Sequence, residues 1–263
     1  MNLLVVGILI ALSGSVYAAS TAEQAQAAWA QRDQAGQTEK AIHYWEQAIK
    51  ENPDQPALWI DLTKALGRMV RHSEKRSAQK KWADEALQTS EQAIAKNPSR
   101  AEAWAYRAEA LGQWANTHKG PGGLHKVKQA VESLKKALAI NPKYAYAHML
   151  LAEFYRQAPA HLSVGDKKKA LIEAQAAVDD GPQYAIDHIV LARALIDHDQ
   201  KERAIAELRA ALALTAPPDA IPETLSDKET ARELLNDLGA AETPATVPAA
   251  CSESSAQGMA CGK

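Results

Sequence analysis

The sequence predicts an all-α fold, an α-solenoid of about five stacked helix pairs closed by a C-terminal capping helix. Three observations carry this expectation. The chain is rich in Ala, and only 5% of its 263 residues are aromatic, with a single Phe, so helix formers far outweigh strand formers. Residues 185–216 place Leu191, Ala192 and Leu195 on one helical face. Asp199 then opens a turn, and Ala204, Leu208 and Ala211 form a second face. The same phase recurs upstream, each time ahead of a proline that ends the second helix.

Taken in order, the first copy has Gly36 in its turn and Ala41, Trp45 and Ala48 before Pro53. Its first helix is the least regular, with Trp29 where a small residue fits and Arg32 where an apolar one does. The second carries Trp59, Leu62 and Leu66, then Ala86, Ser90 and Ala93 before Pro98. The third carries Trp104, Ala108 and Leu111, then Ala130, Leu134 and Ala137 before Pro142. The fourth carries Leu151, Ala152 and Tyr155, then Gly165, Ala170, Ala174 and Ala177 before Pro182. Asn52, Asn97 and Asn141 each precede the closing proline. Small residues at fixed offsets let two antiparallel helices approach closely, and the larger ones fill the gaps.

In a 34-residue frame starting at Ala185, positions 7, 8, 11, 20, 24 and 27 are Leu191, Ala192, Leu195, Ala204, Leu208 and Ala211. This pattern resembles the tetratricopeptide (TPR) repeat, over roughly residues 22–218. Ala216 stands where the family has a proline, and Pro217 and Pro218 follow at once. The resemblance implies a right-handed superhelix whose units are expected at residues 22–55, 56–100, 101–144, 145–184 and 185–218, within an array spanning 19–218. Successive prolines are 45, 44 and 40 residues apart, so three units exceed the family length. The excess falls between the two helices of each unit and lengthens helices or hairpin loops.

Residues 1–18 read as a secretory signal peptide. An apolar run at 3–12, broken only by Gly7, leads through Ser13-Gly14-Ser15 to Val16-Tyr17-Ala18, with small residues at the cleavage positions. The run is too short to span a bilayer comfortably, and no Lys or Arg precedes it. Cleavage is expected after Ala18, giving a periplasmic or secreted chain without a stable membrane span; an uncleaved anchor is the competing reading. Beyond Pro218, Ser226 and Glu229 form an S-x-x-E capping box ahead of a helix whose Leu234, Leu235 and Leu238 cover the end of the stack, within residues 219–239. Residues 240–263 are expected to be disordered. They hold the two cysteines, Cys251 and Cys261. These read as an intramolecular disulfide, as free or intermolecular thiols, or as half of a metal site that lacks further ligands.

The search for chemistry finds no catalytic motif and no cofactor or metal signature. There is no Gly-x-Ser-x-Gly, His-Glu-x-x-His, Cys-x-x-Cys or dinucleotide fingerprint. A net charge of −2 argues against a nucleic-acid binder. The segment at 68–81 carries Arg68, Arg71, Lys75, Arg76, Lys80 and Lys81. It reads either as a patch for an acidic partner or lipid, or more plainly as a solvated helical extension. The glycines at 120, 122 and 123, within the insertion at 115–125, read as a hairpin loop and not as a phosphate cradle. His148 and His188 share the position held by Trp59 and Trp104 in their own units, which points to packing between units and not to ligation.

If the family geometry holds, first helices line a concave groove. The groove residues are then Ile60, Lys64 and Arg68; Glu102 and Glu109; Tyr146, Met149, Glu153 and Arg156; and Ile186, Ile189, Arg193 and Ile196. Charges of both signs alternate, and the C-terminal half is the more apolar. This pattern implies a non-catalytic exported scaffold holding a protein or peptide segment in side-chain pockets, in cell-envelope or periplasmic assembly. The competing reading of the apolar stripe is that the capping helix or the tail covers it. Self-association stays open. A second functional reading is a small-molecule-binding or accessory component of a periplasmic transport system, because residues 152–170 loosely resemble a segment of the T-component of TRAP transporters. The lipid-anchoring Cys expected there is missing.

Overall fold

The structure, a computed structural model, describes residues 19–240 apart from residues 119, 121 and 162. The signal-peptide segment, Cys251 and Cys261 lie outside the described residues. Among the described residues there are eleven α-helices and no strand: α1 (Thr21–Ala30), α2 (Gln37–Glu51), α3 (Pro56–His72), α4 (Arg76–Lys96), α5 (Ala101–Thr117), α6 (Gly122–Ile140), α7 (Ala145–Gln157), α8 (Lys167–Asp180), α9 (Ala185–Ile196), α10 (Lys201–Ala213) and α11 (Ile221–Asp237). Consecutive helices pair, α1 with α2 through α9 with α10, and α11 packs on both α9 and α10. The chain divides into two compact units at the Ile140–Asn141 junction, α1–α6 and α7–α11. Within each unit the second helix of a pair packs on the first helix of the next, as α2 on α3, α4 on α5 and α8 on α9. This is the stacking of a solenoid, in which each pair buries its face on its neighbours.

The small residues do what their spacing requires. Ala41, Ala48, Ala86, Ala93, Ala130, Ala137, Ala170, Ala177, Ala204 and Ala211 are each at most 1% exposed. Each sits at a helix crossing where a larger side chain would hold the backbones apart. Leu111, Leu134, Leu191, Leu195 and Leu208 fill the adjacent space and are fully buried.

The turns between pairs share one device. Trp59 Nε1 donates to the Pro53 carbonyl at 2.9 Å, and Trp104 Nε1 to that of Pro98 at 2.7 Å. His148 Nε2 and His188 Nε2 stand 3.0 and 3.2 Å from the carbonyls of Pro142 and Pro182. The shared position of these four rings therefore reflects a ring N–H tied to a carbonyl six residues back, more than packing alone. The asparagines contribute as well, since Asn97 Oδ1 and Asn141 Oδ1 accept backbone N–H bonds two residues on.

The extra length of the second and third pairs is taken up as helix. α3, α4, α5 and α6 have 17, 21, 17 and 19 residues, against 12 and 13 for α9 and α10. In the fourth pair it becomes the loop between α7 and α8. Asp166 ends this loop as the N-cap of α8, accepting from the Lys168 and Lys169 amides, while its own N–H reaches the Tyr155 carbonyl at 2.8 Å. Gly165 is required here, because a Cβ would lie 1.9 Å from the Ala158 carbonyl oxygen. Gly165→Ala is expected to displace the Asp166 cap and cost roughly 1–3 kcal/mol. The check is a denaturant melt together with faster amide exchange in the first turn of α8.

The start of the last helix is corrected. Ser226 and Glu229 do not cap the last helix, because α11 begins five residues earlier at Ile221, with Pro222 in its first turn. A proline there is preorganised for a helix start and lacks only an N–H that would go unpaired anyway. Thr224 and Ala231 thereby join Leu235 as buried residues of α11, while Leu234 and Leu238 pack at its edge. The far end is a Schellman cap: Gly239 has φ +66°, its N–H meets the Asn236 carbonyl, and Ala240 N–H meets that of Leu235 at 2.8 Å.

Candidate functional site

The basic segment at 68–81 comprises the last turn of α3, a three-residue turn and the start of α4. Its guanidinium groups are used within the first unit. Arg68 Nη2 donates to the Arg32 carbonyl at 3.0 Å, Arg71 pairs with Glu109, and Arg76 Nη2 bonds the Asn116 and Thr117 carbonyls at 3.1 and 3.0 Å. The last two are carbonyls at the C-terminal end of α5, where a cation is favoured.

In the first unit the faces of neighbouring first helices carry a continuous polar strip. Gln26 Nε2 on α1 donates to Asp61 Oδ2 on α3 at 2.8 Å. Lys64 Nζ lies 3.2 Å from Asp61 Oδ1 and 5.1 Å from the Tyr106 ring centre on α5. Burial opposes ionisation of Glu102. Its bond to its own backbone N–H, Arg100 and Lys64 outweigh that and hold the carboxyl below its usual range. Farther along, Gln113 Nε2 bridges Glu109 at 2.9 Å and the Gly67 carbonyl at 3.1 Å. Lys64 and Glu102 are thus brought together, whereas Glu109 is engaged by Arg71 and Gln113 and Arg68 by the Arg32 carbonyl. Ile60 takes no part: it is 3% exposed and packs with Ala93 and Ala103, so it belongs to the core.

In the second unit a charged node joins three helices. Glu153 pairs with Arg156 at 3.1 Å, Arg156 Nη1 is 3.8 Å from Asp197 Oδ2 beyond α9, and Lys167 of α8 is 3.5 Å from the same carboxylate. Tyr146, Ile186 and Ile196 are half-buried at the edge of the core cluster. Met149 and Ile189 are inside it, at 8% and 0% exposure, and are corrected from groove contacts to core residues. The reason is the next helix along the stack: α9 packs on α7 and α11 on α9, as α5 packs on α3 where Ile60 meets Ala103. Arg193, on the same stripe, stabilises the ionised form of Asp227 on α11.

Two groups of this region escaped the sequence reading. Asp187 on α9 is 2% exposed, and burial first, then the neighbouring Asp227, push its carboxyl up to about 8 against the opposing pull of His188. Asp227 is pushed up to about 6 by burial and by Glu223. A signal existed. The third residue of the first helix is Leu58, Ala103 and Ala147 in the preceding pairs, all buried, and Asp187 breaks that column.

Both ring nitrogens of His148 and of His188 have acceptors. His148 Nδ1 lies 2.6 Å from Glu173 Oε2, and His188 Nδ1 lies 2.7 Å from Glu207 Oε2. The bond to Glu173 or Glu207 is the largest cause raising each imidazole above its usual value. Among the described residues no group of His, Cys, Asp and Glu is arranged to hold a metal, and no helix is long and apolar enough to cross a membrane. A shallow cleft of about 380 Å³ lies between α5 and α6, lined by Arg107, His125, Lys128, Gln129, Glu132, Ser133 and Lys136.

Known proteins give the following similarities. A family model described as RMD1-3, regulator of microtubule dynamics protein 1-3, matches residues 22–177. No curated protein matches the chain. The crystal structure of TTC0263, a thermophilic TPR protein of Thermus thermophilus, superposes with a TM-score of 0.62 at 20% identity, covering 81% of this chain and 98% of that one. That likeness shows the fold, and with it the TPR resemblance read from the repeats. MamA (residues 41 to the end) from Desulfovibrio magneticus RS-1 matches at 0.48 and 15% identity, over 81% of this chain and 97% of that one.

Proposed function

The chain belongs to the family described as regulator of microtubule dynamics protein 1-3, and from that premise we propose that it is a non-catalytic, exported TPR scaffold. It holds a segment of another protein along its first helices and works in cell-envelope or periplasmic assembly. The family's description names a protein polymer as what its members act on, which supports a protein partner. The observation that carries the reading is the polar strip of the first unit. Lys64, Glu102 and Glu109 present both signs of charge on adjacent helices, half-buried and held by hydrogen bonds, with the Tyr106 ring beside Lys64. Such groups offer oriented contacts at a low ordering cost.

The test is a crosslinked pull-down of the mature chain from its native envelope extract, beside Lys64→Ala/Glu102→Ala. One dominant protein, reduced at least ~10-fold by the double variant while the melting curve holds, is the expected result. Affinity carried by two such contacts is of this order. Retention equal in both chains would remove the strip from the function. Export is tested separately: N-terminal sequencing of the envelope fraction should begin at Ala19, and a chain that retains residues 1–18 would overturn cleavage.

A further inference from the structure

Position 7 of the first helix is Leu62, Leu151 and Leu191 in the second, fourth and fifth pairs, at 5%, 2% and 0% exposure. In the third pair it is Arg107. A leucine there is buried in its pair, whereas a guanidinium is costly to bury and reaches for the surface. The Arg107 side chain is 20% exposed, and it lines the cleft of about 380 Å³ between α5 and α6. Its Nη1 donates to Ser133 Oγ at 2.7 Å. Glu91 of α4, itself 55% exposed, lies 3.9 Å from Nη2, too far for a hydrogen bond. Only one side-chain hydrogen bond therefore holds the guanidinium among the described residues.

The other wall of the cleft is one stripe of α6. His125, Lys128, Glu132, Ser133 and Lys136 follow one another at the spacing of a single helical face. α6 carries Lys126, Lys128, Lys135 and Lys136 against one acid, Glu132, in a chain whose net charge is −2. Glu132 is already taken by Lys135 at 2.7 Å. His125 Nε2 and Gln129 Nε2 face each other at 3.1 Å and engage one another. Lys136 Nζ stands 4.3 Å from the centre of the Trp104 ring, a contact that positions the ammonium without neutralising it. Arg107, Lys128 and Lys136 thus share one cleft, with only the exposed Glu91 and the paired Glu132 to balance them.

We propose that the α5–α6 cleft is a second binding site, which takes an acidic segment of a partner protein. Lys128 and Lys136 are separated by about 12 Å along the helix axis, and Arg107 bonds Ser133 between them. A single small anion meets one end of such a stripe. About four residues of extended chain span it, so carboxylates on one segment reach all three cations. One exposed ion pair contributes little, and the gain comes from several on a single chain. The site is separate from the polar strip. The strip joins first helices, with Lys64 of α3 beside Tyr106 and Glu102 of α5, whereas Arg107 turns to the second helices α4 and α6.

The experiment is fluorescence anisotropy of the full chain with a labelled peptide of about eight residues, Glu alternating with Ala, long enough to span the stripe. The same peptide with Gln for Glu is the control. The Glu peptide is expected to bind at least ~10-fold more tightly than the Gln peptide at low salt, and to weaken as salt is raised. Arg107→Leu restores the residue of the other pairs, and Ser133 Oγ keeps its bond to the Gln129 carbonyl at 2.9 Å. That variant should melt no lower than the natural chain yet lose at least ~10-fold in affinity for the Glu peptide. Lys128→Gln/Lys136→Gln, at exposed positions, should lose a similar factor and decides the matter even if Arg107→Leu melts lower. Lys64→Ala/Glu102→Ala should bind the probe as the natural chain does. Equal binding of the two peptides, or unchanged affinity in the lysine variant, would overturn the site. Loss confined to Lys64→Ala/Glu102→Ala would move the acidic segment to the strip and overturn the cleft while sparing the groove reading. A short single-stranded DNA that displaces the peptide and outbinds it, with the same dependence on Lys128 and Lys136, would assign the cleft to nucleic acid and overturn the protein segment.

Discussion

Trp45→Ala is expected to destabilise the first unit by about 3–5 kcal/mol, the range for removing a buried aromatic side chain. Its melting temperature should fall by roughly 10–20 °C. Trp45 is 1% exposed, the largest fully buried side chain, and its ring meets Trp29 with centroids 5.7 Å apart. Arg32, the polar residue at an apolar position, lies over that same Trp29 ring at 4.8 Å and is itself buried. The irregular first helix is therefore held by an aromatic pair and a cation where other pairs use alanine and leucine. Trp45 Nε1 has no hydrogen-bond partner among the described residues, so Trp45→Phe, which deletes that N–H, should cost much less than Trp45→Ala. All six tryptophans lie in α1–α5, and their fluorescence follows the first unit. A Trp45→Ala chain that melts like its parent would contradict this account.

The second unit should lose stability as the pH rises from about 5 to 9, by roughly 2–5 kcal/mol in total. Two kinds of group act in the same direction. His148 and His188 have imidazoles raised above their ordinary value by Glu173 and Glu207. Their contribution is complete below the unfolded value of about 6.5 and disappears as the pH passes the higher folded value. Asp187, raised to about 8, keeps its proton in the folded chain and gives it up in the unfolded chain above about 4. The unfolded state then binds fewer protons, and stability falls across that window. In the first unit Glu102 shifts the other way, so its contribution is present at neutral pH and fades only in acid. Urea melts at pH 5, 7 and 9, followed by far-ultraviolet circular dichroism for the whole chain and by tryptophan emission for the first unit, should separate into two transitions at alkaline pH. A single transition with a pH-independent midpoint would contradict the assignment.

The two results also show what could be read from residues alone. Helix pairing is visible because alanine at a crossing and proline after it are one-dimensional signals with a fixed period. The polar strip is only half visible. Repeat position indicates which residues of the first helices share a side, and of the four polar ones Lys64 and Glu102 influence each other while Arg68 and Glu109 take other partners. Ile60, Met149 and Ile189 hold one repeat position, shared with Ala105. All four are buried, the three larger ones because that position meets the next first helix of the stack. For Ile189 the cover includes α11, whose start lies five residues ahead of the capping pattern. Ser226 and Glu229 form that pattern, but Pro222 has already begun the helix. Asp187 is legible as the break in the buried column of Leu58, Ala103 and Ala147, but the closeness of its carboxylate to the Gly181 backbone is a packing fact that no local pattern reports.

The three arginines that bind within the first unit change what the dense run of cations at 68–81 means. Each spans from one hairpin to the next, with Arg68 reaching Arg32, Arg71 reaching Glu109, and Arg76 reaching the end of α5. Of the three, only Arg71 is paired with a carboxylate, while Arg68 and Arg76 keep their full charge but are fixed in direction by backbone carbonyls. The three arginines of the long α3–α4 edge therefore act as clamps between rungs, tying the geometry of one hairpin to the next.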